Sequence, residues 1–183
     1  IAFMCEDDLE LFKIEKEFFR NTVGEIVKKT NLCDLVSISC VGSPYIIDPL
    51  IQEIKGPIFL DYHSNRGKLY GTGCYAISRK LAEKIVSRHW NNGKLFIDPN
   101  HQSMVADHFI YPQGEKTSFM IPSLFTLRPE NDSYIHSEHL NMHELIQISM
   151  FKMWNKFNVA KRSDIAIISN NNWGVDYYLN NTK

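Results

Sequence analysis

The stretch Ile1-Ala2-Phe3-Met4-Cys5-Glu6-Asp7-Asp8 decides how this chain is read. Five apolar residues predict a buried β-strand, and that strand delivers three consecutive acids at its carboxyl end. In open α/β sheets the crevice beyond those ends is where ligands bind. Three like charges packed together repel one another unless a cation neutralises them. One reading is therefore a hard divalent metal held by oxygen ligands, its shell completed by a phosphate-bearing substrate. The plainer reading is a helix start, since acids favour a helix N-terminus and Asp8 can cap the segment that follows. The triplet alone leaves both open.

Beyond the acids, Ile14, Phe18, Phe19, Val23, Ile26 and Val27 recur at spacings of three and four, which predicts an amphipathic helix over roughly 14–29. Leu32 to Val41 is apolar and partly β-branched and predicts a buried strand, ended by Gly42-Ser43-Pro44. Residues 45–56 fit neither period. Ile58-Phe59-Leu60 and Leu69-Tyr70 predict short strands joined by a polar loop. The best-defined unit follows: Gly71-Thr72-Gly73, a strand Cys74-Tyr75-Ala76-Ile77, then Ser78 as N-cap of a helix whose buried stripe is Leu81, Ala82, Ile85, Val86 and Trp90.

Further on lies a second acid-bearing segment, Ser103 to Ile110, which contains Asp107. Phe119 to Leu127 predicts a strand, and Pro122 inside it argues for an edge or a break. A long amphipathic helix is expected over roughly 139–157, with Met150, Met153, Trp154 and Phe157 on its buried stripe. After residue 158 the character changes: a turn at Lys161-Arg162-Ser163-Asp164, then Ile165-Ala166-Ile167-Ile168. The expected organisation is one α/β domain portion over 1–158, then a linker and the start of a second α/β unit over 159–183. Because the chain opens in mid-strand without an initiator Met, it reads as a piece of something longer.

Composition narrows the class. Of 183 residues, 44% are hydrophobic and 22% charged, as in an ordinary soluble globular domain. With a net charge of −1 and no Lys/Arg-rich face, no nucleic-acid partner is expected. The four cysteines, Cys5, Cys33, Cys40 and Cys74, form no CxxC pair. They read as small buried hydrophobes in a reducing compartment, which predicts a cytoplasmic location rather than a disulfide frame or a zinc knuckle. No stretch is long and apolar enough to span a bilayer.

Taken in order, the strand ending in Glu6-Asp7-Asp8, the unit Gly73-Cys74-Tyr75-Ala76-Ile77-Ser78-Arg79-Lys80-Leu81-Ala82, Asp107 before an apolar pair, and Ser133-Tyr134-Ile135 resemble one family. It is the lipopolysaccharide and lipooligosaccharide glycosyltransferases of family twenty-five, the group that also contains collagen galactosyltransferases. The resemblance covers roughly residues 1–140. Two departures stand out. Leu81 replaces a small residue, and the proline often found two positions before the family's Asp is absent before Asp107.

The resemblance implies a GT-A-like fold, a Rossmann-like mixed sheet flanked by helices, whose nucleotide-binding half would precede Ile1. It also implies transfer of a hexose from a nucleotide-diphosphate sugar donor to a glycan or lipid-linked acceptor. A bound Mn²⁺ or Mg²⁺ would stabilise the charge that builds on the diphosphate leaving group. On an extended chain the first and third acids of the triplet share a face, so Glu6 and Asp8 are the expected metal ligands. Asp7 then points elsewhere, towards the donor. An inverting transfer needs a general base, and Asp107 falls where the family places its later acid. A helix-start acid or a partner of His108 is the plainer account of Asp107, and Asp98 is a rival.

Many GT-A enzymes add a late His to the metal shell, for which His136 is the candidate. His136, His139 and His143 lie at helical spacing and could instead form a transition-metal site of their own, as in a His/Asp metal hydrolase. Gly71 and Gly73 are expected to allow close backbone approach to donor or acceptor, or merely a tight turn. Arg79 and Lys80 could neutralise a diphosphate or simply be solvated. Trp90, Tyr75 and Tyr111 could stack on a sugar ring, although core burial is the safer expectation for the first two. A carbohydrate-binding or scaffold module of the same fold, without catalysis, is the remaining alternative.

Overall fold

The computed structural model describes residues 1–6, 9–12, 14–42, 44–97, 105–127 and 140–157. A five-stranded mixed sheet organises them, built from β1 (Ala2–Cys5), β3 (Leu35–Ser37), β5 (Ile58–Asp61), β7 (Cys74–Ile77) and β10 (Thr117–Ile121). Its order is β1-β7-β3-β10-β5. β3 and β10 run parallel, whereas β7 is antiparallel to both β1 and β3, and β5 is antiparallel to β10. β1, β3 and β10 therefore point the same way, and their carboxyl ends share one rim. Two-stranded pairings flank the sheet: β2 (Leu9–Leu11) with β11 (Phe125–Leu127), β4 (Val41–Gly42) with β6 (Leu69–Tyr70), and β8 (Trp90–Asn91) with β9 (Lys94–Leu95).

The helices are α1 (Lys16–Thr30), α2 (Pro44–Glu53), α3 (Arg79–His89), the short α4 (Ala106–Ile110) and α5 (Leu140–Lys156). The chain is thus α/β with a mixed sheet, as its sequence predicts. Every residue of β3 and β10 is buried, the expected condition of central strands covered on both faces.

Local rules account for most boundaries. Ser78 caps α3, its Oγ accepting from the Leu81 N–H at 3.1 Å, which satisfies one of the orphan amides of the first turn. Arg79 pairs with Glu83 one turn on at 2.7 Å, both side chains exposed. Lys80 is exposed as well. Most of the segment 45–56, which fits neither period in sequence, is α2, with Ile47 buried in it and Ile54 buried just after it. Lys156 of α5 donates to the carbonyls of Ile51 and Gln52 at 2.9 and 2.6 Å, placing a cation at the carbonyl-rich end of α2.

Four expectations are corrected. β1 is not buried: Ala2, Phe3, Met4 and Cys5 are all exposed, because the strand lies at the sheet edge with β7 as its one described neighbour. Phe119 to Leu127 is not one strand: of the two readings of Pro122 the break holds, β10 stopping at Ile121 between β3 and β5 and the chain resuming as β11 in a separate pairing. Trp90 leaves the α3 stripe and stands 55% exposed at the start of β8. His89 takes the inward place, bonded through Nδ1 to the Phe96 carbonyl at 3.0 Å and edge-on to Phe109. Tyr111, considered as an exposed sugar-stacking ring, is fully buried.

The turn after β10 anchors α5. Ser123 Oγ donates to the carbonyl of Ile38 at 3.0 Å and accepts from the Cys40 N–H at 3.1 Å. The Ser123 carbonyl accepts from Trp154 Nε1 at 2.8 Å. The fully buried Trp154 ring packs edge-on against Phe18 of α1 and against Phe157. Trp154→Ala removes that ring and leaves the carbonyl without its indole donor. We expect a loss of about 3–5 kcal/mol in urea unfolding, against no more than about 0.5 kcal/mol for the exposed Trp90→Ala.

Candidate functional site

At the rim where β1 and β3 end, the segment Gly71-Thr72-Gly73 crosses close to the backbone. Gly71 has φ +105°, and a Cβ placed there would come within 2.4 Å of the Ser39 carbonyl oxygen and 2.9 Å of the Val41 nitrogen. Only glycine fits such a conformation at such a separation. Gly73 is nearly as tight: a Cβ at that position would meet Leu9 Cδ2 at 2.9 Å and Ser39 Oγ at 3.0 Å. The close approach that these glycines allow is to the protein's own Ser39, Val41 and Leu9.

Gly71 is held at both ends. Its N–H donates to Asp107 Oδ2 at 3.0 Å. Its carbonyl accepts from the Tyr111 hydroxyl and from Ser37 Oγ, the latter at 3.2 Å. Ser39 completes the arrangement by accepting from the Cys74 N–H at 2.6 Å, which sets the start of β7. Glu6 joins the same segment through its backbone, its N–H donating to the Gly73 carbonyl at 2.7 Å.

Asp107 lies in the first turn of α4 and is half-buried. The helix-start account of this acid holds, and so does a specific tie to the glycine segment. Its expected pairing with His108 gives way to Gly71; the His108 ring instead stacks on Tyr70, centroids 5.8 Å apart. Burial pushes the Cys40 thiol well above its usual range, and the Asp107 charge adds to the effect. Burial likewise raises the Tyr111 phenol, opposed by the Ser37 hydrogen bond and reinforced by Asp107. Tyr62 is also raised, chiefly by burial, with Arg66 opposing. Both tyrosines pack against Phe119 of β10.

Of the residues singled out in the sequence, the structure brings Glu6, Gly71, Gly73 and Asp107 to one rim. Asp7, Asp8, Asp98, His136 and His139 lie outside the described residues, as do Ser133-Tyr134-Ile135 and the segment 159–183; His143 is in α5, but its side chain is not described. Among the described residues no three His, Cys, Asp or Glu side chains gather as a metal-holding group. Glu6 and Asp107 are nevertheless the oxygen donors that a hard cation takes, and both are tied to the same three-residue segment. No described helix is long and apolar enough to cross a membrane.

Ser37 and Ser39 are not singled out by the sequence, and Tyr111 is singled out for a different role, although a signal for the serines is present. Two serines at alternate positions in the apolar run 32–41 are polar groups that must find partners once buried, and they find Gly71 and Cys74.

No family model, curated protein or solved structure matches this chain. The functional reading rests accordingly on the residues and the rim they form.

Two outcomes test this geometry. Gly71→Ala forces a strained φ and a backbone clash, and should cost at least about 1–3 kcal/mol in chemical denaturation. Tyr111→Phe removes one of three side-chain donors to the Gly71 carbonyl and should cost about 0.5–1.5 kcal/mol near neutral pH. It should also change the alkaline limb. Above the ordinary tyrosine range, near pH 10, the unfolded chain releases the phenol proton while the folded chain retains it, so stability falls as pH rises. In Tyr111→Phe, denaturation followed across that range should show a shallower decline.

Proposed function

We propose that this chain belongs to a metal-dependent glycosyltransferase of GT-A-like architecture, which moves a hexose from a nucleotide-diphosphate sugar to a glycan or lipid-linked acceptor with inversion. The observation that carries this reading is the bond from the Gly71 N–H to Asp107 Oδ2 at 3.0 Å. It joins the acid placed by the family resemblance to the glycine segment that opens the Cys74–Ile77 strand, at the same rim as Glu6. In mixed α/β sheets that rim is where ligands are bound.

In this reading Asp107 is the general base. The Gly71 amide fixes Oδ2 and orients the carboxylate, and Oδ1 takes the proton of the attacking hydroxyl. Tyr111 acts one step removed, as a positioning residue: its hydroxyl and Ser37 hold the Gly71 carbonyl, so the amide stays aimed at Asp107. The Tyr70–His108 stack beside Asp107 offers flat ring surface to a sugar face. Glu6, with Asp8 and His136, would hold Mn²⁺ or Mg²⁺, and Asp7 would contact the donor. The cation's contribution is to offset charge on the departing diphosphate.

Asp107→Asn is the informative variant, because its amide oxygen can still accept from Gly71 while the side chain no longer takes a proton. Transfer from a nucleotide-diphosphate hexose in the presence of Mn²⁺ should fall about 10²–10⁴-fold, with the unfolding midpoint near that of the wild type. Undiminished turnover in this variant would remove Asp107 as base, and full activity in excess chelator would remove the metal. If nucleotide sugar or glycan binds with no turnover in either protein, the chain is a carbohydrate-binding module.

A further inference from the structure

Cys5 and Cys74 face each other across β1 and β7. Cys74 directs both backbone polar groups towards β3: its N–H donates to Ser39 Oγ at 2.6 Å, and its carbonyl accepts from the Ile38 N–H at 2.9 Å. The neighbouring pair, Glu6 and Gly73, is the one bonded across β1 and β7. Cys5 and Cys74 therefore occupy a non-hydrogen-bonded cross-strand position, where Cα atoms approach to about 4.5 Å. That separation lies inside the window of roughly 4.4–6.8 Å that a disulfide needs. Both cysteines are free thiols, and their sulfurs are in contact at 2.7 Å.

The two thiols differ in access. Cys5 is exposed on the edge strand, whereas Cys74 is 1% exposed and belongs to the hydrophobic core. An accessible sulfur with a sheltered partner against it is the arrangement of an attacking and a resolving cysteine. Cys33 and Cys40 lack it: Cys33 contacts the Ser118 hydroxyl at 3.4 Å, and Cys40 is buried.

We propose that Cys5 and Cys74 form an oxidative modification site that closes to a cross-strand disulfide by exchange with a low-molecular-weight disulfide. Cys5 sulfur, its proton given to solvent, attacks one sulfur of the small disulfide. A Cys5–small-thiol bond forms, and the first small thiolate leaves. Cys74 then gives up its proton and attacks the Cys5 sulfur, so that the Cys5–Cys74 bond forms and the second small thiolate departs. Two protein thiols are oxidised and one small disulfide is reduced to two thiols. The bond ties β1 to β7 one residue from Glu6 and one from Gly73, fixing the rim whatever ligand the rim takes. This inference stands on strand register and burial and is independent of the transferase reading.

The test exposes the folded chain to oxidised glutathione, alkylates the remaining thiols, and maps the digest by mass spectrometry before and after dithiothreitol. The expected product is a reducible Cys5–Cys74 linked peptide with Cys33 and Cys40 alkylated. A reversible rise in melting temperature should accompany it in the wild type. Cys5→Ser, at an exposed position that leaves the core intact, should give neither the linked peptide nor the rise. The proposal is overturned if both cysteines stay alkylatable, if Cys5 stops at the glutathione adduct, if Cys5 links to another cysteine, or if the link forms without a rise in melting temperature.

Discussion

The packing of one peptide unit against another sets the geometry of this protein's candidate rim. Gly71 passes the Ser39 carbonyl so closely that no side chain can be accommodated, and the approach takes the half-buried Gly71 N–H and C=O away from water. Both must be satisfied or the fold loses stability. Asp107, Ser37 and Tyr111 satisfy them; Asp107 and Tyr111 come from one segment at α4 and just after it, and Ser37 comes from β3. β3, β7 and α4 are thereby held in fixed relation. The acid nominated from the sequence and the group that satisfies the Gly71 amide are the same side chain.

That arrangement also governs the electrostatics. Asp107 sits among a phenol and a thiol that burial keeps protonated, and its own charge strengthens that tendency in both. The carboxylate thus meets hydroxyl and thiol neighbours rather than a second anion from this set. A protonated Tyr111 can donate to the Gly71 carbonyl, which in turn keeps the amide of the same residue directed at Asp107. Burial of Tyr111 and orientation of the Asp107 carboxylate are here consequences of one packing arrangement.

How much of this was legible in the sequence follows from the range of the forces involved. The α3 helix could be read with its cap because Ser78 and Leu81 are three residues apart and the bond between them is local. Helical period gave α1 and α5 within one or two residues at each end. Long-range partners decided the rest. Nothing near Trp90 in sequence says that His89 will be preferred inside, since the deciding contacts are Phe96 and Phe109. The run 119–127 breaks at Pro122 as its chemistry suggests, yet its central place in the sheet is set by β3 and β5. Glu6, Gly71, Gly73 and Asp107 could be nominated from residue type and order, whereas Ser37, Ser39 and the role of Tyr111 at the Gly71 carbonyl emerge only once the chain is folded. β1 shows the opposite failure: five apolar residues imply burial, but the sheet edge leaves them in water.

That edge has a consequence for solvent deuteration. Along β1 the amides alternate in direction: those of Met4 and Glu6 face β7, and those of Phe3 and Cys5 face away from the sheet. Outward amides with no described strand beyond them should acquire deuterium quickly, while their inward neighbours, shielded by the ladder, should do so slowly. A period-two staircase of exchange through four consecutive residues would be the signature of a strand bonded on one flank only.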